Sequence, residues 1–236
     1  MKLNLLSYKE IEKYLQKNDS LLIPVGTCEQ HGLHLPLCTD TIVAERMCDD
    51  VSKKMGILVA PTVNYGVNLP IDDHMTVTSG ITYEILKATL ESITTYWAQQ
   101  GFKHFFFVSC HGDFFHVRAL NDVGGSSTVI EGYDVDIADL LDKQVCARHA
   151  CEAETSVMLY LYPKLVNMDK AKDFDVPIEK FLPYLEHKAS KKLAGYTGNI
   201  GYSTYATKEK GKQIYERMMQ NLEKIIKNKL TKKCAK

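Results

Sequence analysis

The sequence lacks several features that would each indicate a particular class of protein. No apolar run approaches the ~18 residues of a membrane span, so no membrane partner is expected. Lys+Arg and Asp+Glu are equal at 29 each, and a chain without net charge has no global basic field for nucleic acid. The seven cysteines are odd in number and form no Cys-x-x-Cys pair, which argues against a disulfide framework or a zinc finger.

The absence of disulfide-type cysteine spacing also predicts the cellular compartment of the protein. Unpaired cysteines are typical of the reducing cytoplasm. The apolar residues at positions 1–6 are too few for the core of a signal peptide. We therefore expect a cytoplasmic protein, and its 236 residues fit a single domain over 1–236.

Apolar and polar residues alternate in blocks that predict strands and helices in turn. Buried strands are predicted at 21–25, 57–63, 103–110 and 128–133. Helices are predicted at 8–18, 41–55, 83–100, 113–121, 136–145, 153–162, 178–194 and 208–229, with a long loop at 64–80 and another at 195–207. Strands that alternate with helices indicate an α/β fold with a mostly parallel sheet.

Metal-ligand residues are concentrated just after the first predicted strand. Glu29 and His31 are two residues apart, so in an extended chain both side chains face the same way. Asp40 follows at the start of the next helix. A mixed carboxylate and imidazole set suits Zn, Mn or Fe. The alternative is that Glu29 and His31 are solvated and that Asp40 caps the helix.

A second pair, His111 and Asp113, follows the third predicted strand. Sites in parallel sheets form at the carboxyl ends of the strands, so this pair is expected at the same edge as Glu29 and His31. The alternative assigns a loop hydrogen bond to His111 and a helix cap to Asp113. A third cluster, which contains His149 and Glu154, precedes another predicted helix and could supply ligands or groups that orient them.

These motifs resemble those of the creatininase (creatinine amidohydrolase) family. Residues 29–40 read Glu-Gln-His-Gly-x-His-Leu-Pro-x-x-Thr-Asp, which is similar to the family's signature. Residues 109–113, 149–156 and 198–211 resemble three further family segments in the family's order, so the resemblance covers nearly the whole chain. It implies a three-layer α/β/α sandwich with a mostly parallel central sheet and two divalent metal ions, Zn, Mn or Fe.

The resemblance also implies roles for individual residues. Glu29 and His111 would bind one metal, His31 the other, and Asp40 both. Asp113 is the candidate that completes the second metal site, with Glu154 as the alternative ligand. His149 would be the catalytic acid/base, oriented by Glu152 or Glu154. The implied protein is a homo-oligomer, often a hexamer, that hydrolyses a C–N bond in a small-molecule amide such as a creatinine-like cyclic amide or a formamide.

Two further histidines, His34 and His74, are candidates to line the substrate mouth. The chain departs from the family at Ser109-Cys110, where members usually have Asn-Gly. Its single tryptophan, Trp97, falls inside a predicted helix, whereas creatininase closes a tryptophan-bearing region over creatinine. Creatinine is therefore not the expected substrate.

Two other functional classes fit some of these residues. One is a cysteine hydrolase with Cys110 or Cys151 as nucleophile and His111 or His149 as base. The other is a metal-binding or regulatory protein that keeps the fold without catalysis. Iodoacetamide would inactivate the first, and the second would be inert towards amides even when loaded with metal.

Overall fold

Four parallel strands form the centre of the molecule. The computed structural model describes residues 1–72, 75, 77–189 and 193–231. The strands are β1 (Ser20–Pro24), β2 (Leu58–Val59), β3 (His104–Ser109) and β4 (Ser127–Glu131), in the order β2-β1-β3-β4. β1 pairs in register with β3, so that Leu22 lies opposite Phe106. The carboxyl ends of β1 and β3 are therefore side by side at one edge of the sheet.

Helices connect the strands and cover the sheet. They are α1 (Tyr8–Leu15), α2 (Thr39–Met55), α3 (Tyr83–Gln99), α4 (Phe114–Asn121), α5 (Glu152–Leu161), α6 (Ile178–Leu185) and α7 (Lys208–Thr231). Two short strands, β5 (Asp173–Phe174) and β6 (Gly201–Tyr202), form a separate antiparallel pair that the sequence did not predict. None of the helices among the described residues combines the length and apolarity that a membrane crossing requires.

The sheet is buried on both faces, which explains the continuous apolar strands. Along β3, Phe105 and Phe107 pack with α3 and α4, whereas Phe106 and Val108 pack with α2, α5 and α7. Alternate residues of a strand point to opposite faces, so one run of apolar residues fills two cores. This confirms the predicted α/β/α sandwich with a parallel central sheet.

Several predicted helix boundaries are confirmed by local geometry. Ser7 and Glu10 form a reciprocal capping box at the start of α1. The side chain of Thr82 accepts a hydrogen bond from the backbone of Ile85 at the start of α3. Gly56 ends α2 at φ 67°, a left-handed conformation that glycine adopts readily.

Three predicted elements are less than half as long, or end many residues earlier, in the structure. The strand at 57–63 is reduced to Leu58–Val59, because an extra residue interrupts the ladder. The backbone N–H of Ala60 donates to Leu22, and the next N–H that donates to β1 is that of Val63, which bonds to Pro24. The helix at 136–145 is a single 3-10 turn at Ala138–Leu140. Beyond it the backbone N–H of Asp142 donates to the carboxylate of Glu152 at 3.0 Å, a side-chain partner that replaces an intrahelical one.

The helix predicted at 178–194 ends at Leu185. His187 adopts a left-handed φ of 54°, and the backbone N–H of Lys188 closes the helix on the carbonyl of Pro183 at 2.8 Å. Residues 190–192 of that prediction lie outside the described residues. Trp97 lies on α3 as predicted, and it packs edge-to-face on Phe102 with ring centroids 5.6 Å apart.

Candidate metal centre

The end of β1 is held close to the start of α2. A Cβ on Gly26 would lie 2.6 Å from the Cα of Thr41, so only glycine fits at this position. The close approach places Asp40, in the first turn of α2, beside the segment that carries Glu29 and His31. Asp40 is not the cap of α2, because the N-cap residue is Cys38.

His31 is oriented by a backbone carbonyl. Its Nδ1 lies 3.1 Å from the carbonyl oxygen of Glu29 and donates to it, since a carbonyl can only accept. This leaves Nε2 directed at Oδ1 of Asp40, 3.3 Å away. A hydrogen bond that fixes the second ring nitrogen in this way is usual for metal-binding histidines.

His111 has the mirror arrangement of its two ring nitrogens. Its Nε2 donates to the carbonyl oxygen of Val67 at 2.8 Å. Its Nδ1 faces Oε2 of Glu29 at 3.1 Å and Oδ2 of Asp40 at 3.3 Å. The two oxygens of Asp40 therefore face different imidazoles.

These side chains and His149 form three overlapping groups that could each hold a metal ion. Two of them share Asp40 and are called the metal groups below: one is Glu29, Asp40 and His111, and the other is His31, Asp40 and Glu154. The third group is Glu29, His31 and His149. Within each group the candidate ligand atoms all lie within 4.8 Å of one another. Asp40 is common to both metal groups, as expected of a carboxylate that would serve two ions.

The buried carboxylates require positive charge beside them. Glu29 is fully buried, and among the described residues neither of its oxygens nor Oδ2 of Asp40 has a partner with hydrogen-bond geometry, although His111 lies within ion-pair distance. Buried charges without partners are strongly destabilising, and metal coordination is one of the ways in which proteins satisfy them. The carboxylate and imidazole donors therefore fit the predicted divalent ions by charge and by ligand type.

The pKa shifts have the same electrostatic cause. Burial alone would raise the pKa of Glu29, but the imidazoles of His111 and His149 outweigh it and lower the value to about 2. Burial alone would lower the pKa of His31, but the carboxylate of Asp40 raises it to about 10. The pKa of His111 is also raised, against the effect of burial, by Glu29 and Asp40. Without metal, protons on the imidazoles supply the positive charge.

Metal affinity is therefore expected to rise with pH. An incoming ion must displace protons from His31 and His111, whose raised pKa values keep them protonated at neutral pH. Each displaced proton raises the apparent affinity about tenfold per pH unit over a window of about pH 6 to 8. Competition titrations of Zn²⁺ against a chelator at several pH values measure the slope. A flat profile would contradict the displacement of protons from these imidazoles.

Asp113 lies outside both metal groups, contrary to the sequence-based expectation. Its Oδ1 accepts a hydrogen bond from the backbone N–H of His116 at 2.8 Å, which makes Asp113 the N-cap of α4. Its Oδ2 lies 2.8 Å from Nε2 of His187. Both oxygens are engaged, so Asp113 is replaced by Glu154 as the candidate that completes the second group.

Variants of these two carboxylates should separate their roles. We expect Glu154→Gln to lose one of the bound ions, because the amide is neutral and a much weaker ligand than a carboxylate. Asp113→Asn should keep the full metal content and most of the stability, because asparagine caps a helix about as well as aspartate does and only the charge that faces His187 is lost. Metal analysis and thermal unfolding of both proteins test this pair. Loss of an ion from Asp113→Asn would restore the original assignment.

His149 lies beside the metal groups. Its Nδ1 is 3.9 Å from Oε2 of Glu29, and its ring centroid is 4.6 Å from that of His31. Its Nε2 is 2.8 Å from the backbone carbonyl of Gln30, to which it donates. The lone pair of Nδ1 is then directed towards Glu29, where a proton could be accepted or returned.

A buried network that the sequence did not reveal supports this tautomer of His149. The two amide hydrogens of Gln30 reach Oδ1 of Asp72 at 2.6 Å and the hydroxyl of Tyr196 at 3.1 Å. Both amide hydrogens therefore have acceptors other than His149. Nε2 of His149 lies 3.0 Å from the same amide nitrogen but receives no hydrogen from it. The Tyr196 hydroxyl donates to Asp72 at 2.7 Å. Asp72 and Tyr196 fall in the two predicted loops, which carry no local pattern that could have identified them, and Gln30 lies between the predicted ligands Glu29 and His31.

Three other sequence candidates have different placements. Nε2 of His34 lies 2.8 Å from the hydroxyl of Thr155, and burial lowers the pKa of His34 to about 4. His34 is thus a buried structural contact rather than part of the cavity lining. His74 lies outside the described residues. Glu152, expected as one of two candidates to orient His149, is buried and instead forms an ion pair with the partly exposed Lys210 of α7 at 2.5 Å.

A cavity of about 530 Å³ opens beside the metal groups. Its lining includes Glu29, His111, His149 and Glu154, so the candidate chemistry is accessible from this space. Other parts of the lining come from the ends of β3 and β4 and from α6. Ligand sites in proteins usually have volumes of about 300–1,000 Å³, and this cavity falls in that range.

Similarity to known proteins agrees with this geometry. Curated relatives include the creatinine amidohydrolase of Pseudomonas putida, which is 25% identical and matches over 94% of each chain. A mycofactocin precursor peptide peptidase of Mycobacterium ulcerans is 29% identical over 86% of this chain and 82% of its own. Both relatives are hydrolases by name.

Solved structures share the fold. A crystal structure of creatinine amidohydrolase superimposes with a TM-score of 0.80 at 24% identity, covering 95% of this chain and 96% of that one. A Zn-Zn creatininase mutant and a Mn creatininase give TM-scores of 0.79 and 0.78 at 24% identity, over 96% of this chain and 97% of theirs. The model of the creatininase (creatinine amidohydrolase) family matches residues 4–226. The chain therefore belongs to the creatininase family.

Proposed function

We propose that this protein is a dinuclear metal-dependent amidohydrolase that cleaves a C–N amide-type bond of a small molecule. The observation that carries the proposal is Asp40, whose two oxygens face His31 and His111 separately. Glu29, Asp40 and His111 would hold one ion, and His31, Asp40 and Glu154 the other. Zn²⁺ and Mn²⁺ are the expected metals, with Fe as the alternative.

The ions would contribute a water of lowered pKa and polarisation of the amide carbonyl. The protein's own residues would exclude water and carry the proton. The side chains around the two proposed ions are buried or nearly so, which keeps bulk water away and strengthens each electrostatic contact; they are Glu29, His31, Asp40, His111, His149 and Glu154. Burial also raises the pKa of Glu154 to about 7, although His31 opposes this shift, so a cation is needed to keep its carboxylate charged at neutral pH.

His149 is the candidate proton carrier. Among the residues that the structure describes, Nδ1 has no hydrogen bond to the backbone, whereas Nε2 is anchored on the carbonyl of Gln30. Nδ1 would accept the proton of the attacking water and return it to the leaving nitrogen. The Gln30–Asp72–Tyr196 network holds the loop on which this anchor lies, and the role of these three residues would be positioning.

The cysteine-hydrolase alternative is disfavoured by the environment of both thiols. Burial raises the pKa of Cys110 well above its usual value and that of Cys151 to about 11. The thiolate, which is the nucleophile, would be scarce at neutral pH. The ring of His111 faces Glu29 and Asp40 instead of acting as a base for Cys110.

The non-catalytic alternative drew on the Ser109-Cys110 departure from the family motif. Ser109 helps to position His111. Its hydroxyl accepts a hydrogen bond from the backbone N–H of His111 at 3.2 Å and lies 3.2 Å from Nε2 of His116. The departure therefore leaves the proposed ligand set intact. The homo-oligomer remains a prediction, with a hexamer as the form to expect.

The test is turnover by protein purified without chelators. A panel of creatinine, N-formylated amines and short peptides should contain at least one substrate whose hydrolysis is abolished by chelation and restored by Zn²⁺ or Mn²⁺. Treatment with iodoacetamide should leave this activity unchanged. Metal-loaded protein that is inert across the panel would favour the non-catalytic reading, and inactivation by iodoacetamide would favour the thiol.

A further inference from the structure

The cavity has one face made of apolar side chains, in addition to the charged side chains of the metal groups. The face consists of Leu69, Val176, Phe181, Leu185 and Ile200. Four of these five side chains belong to one hydrophobic cluster, and Leu185 packs against it. They come from the loop after β2, from α6 and its preceding residues, and from the segment before β6. The apolar face is therefore a feature of the tertiary structure and has no single sequence motif.

The orientation of α6 shows which of its side chains contribute to this face. Phe181 is 8% exposed and lines the cavity, whereas the next residue, Leu182, is 46% exposed. Successive residues of a helix point in directions about 100° apart, so the two side chains occupy different faces of α6. The adjacent pair gives a matched comparison of an apolar residue inside the cavity with one outside it.

The size and composition of the cavity disfavour a small polar substrate. A molecule that filled only the space next to Glu29 and His111 would leave the apolar face in contact with water. An apolar group placed against that face would remove both surfaces from water, which is favourable in proportion to the area buried. A planar ring is well suited to a space bounded by Phe181 and branched side chains.

The charges of the lining argue against an anionic substrate. Arg148 is the only arginine or lysine among the described lining residues, and it is paired with Asp175 at 3.0 Å. Glu131 and Asp134 also line the cavity, and burial followed by the charge of Asp134 raises the pKa of Glu131. Away from the metal groups, a carboxylate or phosphate on the substrate would meet acidic groups and no unpaired arginine or lysine among these residues.

We propose that the substrate is an amide whose scissile carbonyl carries an uncharged aromatic or similarly bulky apolar group, bound against the face formed by Leu69, Val176, Phe181, Leu185 and Ile200. This inference rests on the proposed function, because the scissile bond is placed at the metal groups. It deepens that function by assigning the specificity of the cavity to α6 and the residues packed on it.

Two hydroxamates that share one chelating group test the assignment. Acetohydroxamate carries a methyl group, and benzohydroxamate carries a phenyl ring in the same position. Calorimetric titration of each into the Zn²⁺-loaded full chain should show benzohydroxamate binding roughly tenfold or more tightly, because the ring buries far more apolar surface. Phe181→Ala should remove most of this preference, whereas Leu182→Ala should retain it.

The controls separate failure of this inference from failure of the proposed function. Zinc content is measured for every variant, and Leu185→Ala provides a second cavity variant if Phe181→Ala does not fold. Equal binding of the two hydroxamates by the wild-type protein, with zinc present, would overturn the apolar subsite and leave the metal function standing. Absence of bound zinc, or of binding by either hydroxamate, would overturn both.

Discussion

Asp40→Asn is expected to lose both metal ions. The oxygens of Asp40 face Nε2 of His31 and Nδ1 of His111, each at 3.3 Å, so one carboxylate serves both groups. The amide keeps the shape but removes the charge and one of the two ligand oxygens. We expect affinity at both sites to fall by more than the roughly 10–100-fold that loss of an outer-shell partner costs. Metal analysis after gel filtration measures the content, and turnover should disappear with it.

Asp49→Asn is the matched control for this change. Asp49 lies on the same helix, but its carboxylate is partly exposed and pairs with Lys2 at 2.7 Å. Its loss should leave the metal content unchanged and cost about 0–1 kcal/mol of stability. An Asp40→Asn protein that kept one ion at full occupancy would show that Asp40 serves a single site, and the bridging geometry would have to be abandoned.

His149→Ala is expected to keep its metal and lose turnover. His149 forms a third candidate metal group with Glu29 and His31, but its proposed role is proton transfer rather than ligation, and its Nε2 is bound to the carbonyl of Gln30. Removal of a general acid or base typically lowers the rate by about 10²–10⁴-fold. The best substrate of the amide panel gives the rate, and metal analysis shows whether the ions remain.

Added imidazole provides a second readout for the same variant. Free imidazole can enter the cavity that His149 lines, so it should restore part of the lost rate in His149→Ala. His104→Asn is the control, since His104 begins β3 and lies at the opposite edge of the sheet. Loss of metal in His149→Ala would make His149 a ligand, and full retention of activity would remove it from the mechanism.

The sequence was sufficient for the parts of the fold and site that depend on local pattern. The runs of apolar residues at β1 and β3 have no polar alternation, which is typical of strands covered on both faces. Once these strands are parallel neighbours, Glu29 and His111 must emerge at the same edge. The placement of His31 and Asp40 follows from the segment 25–38 between β1 and α2, which returns at Gly26 to the start of α2. These predictions required only periodicity and topology.

The features of the site that the sequence did not predict depend on contacts between residues far apart in the chain. Asp113 and Glu154 are both carboxylates that follow a predicted strand or precede a helix, and nothing local distinguishes them. The carboxylate of Asp113 instead caps the N-terminus of α4 and contacts His187, which follows α6 and is 74 residues away in the sequence. The same holds for Gln30 and Tyr196, which are 166 residues apart. Side-chain partners also shortened the helix predicted at 136–145.

Because the candidate ligands are spread along the chain, bound metal would link the lifetime of the protein to the supply of metal. The ligands lie between residues 29 and 154 and belong to segments around β1, α2, β3 and α5. Ions held by all of them would act as cross-links that exist only in the native state. By linkage, free metal at 100 times its dissociation constant adds about 2.7 kcal/mol to the free energy of unfolding. Protease resistance of the whole domain should therefore follow metal availability, even where no substrate is present.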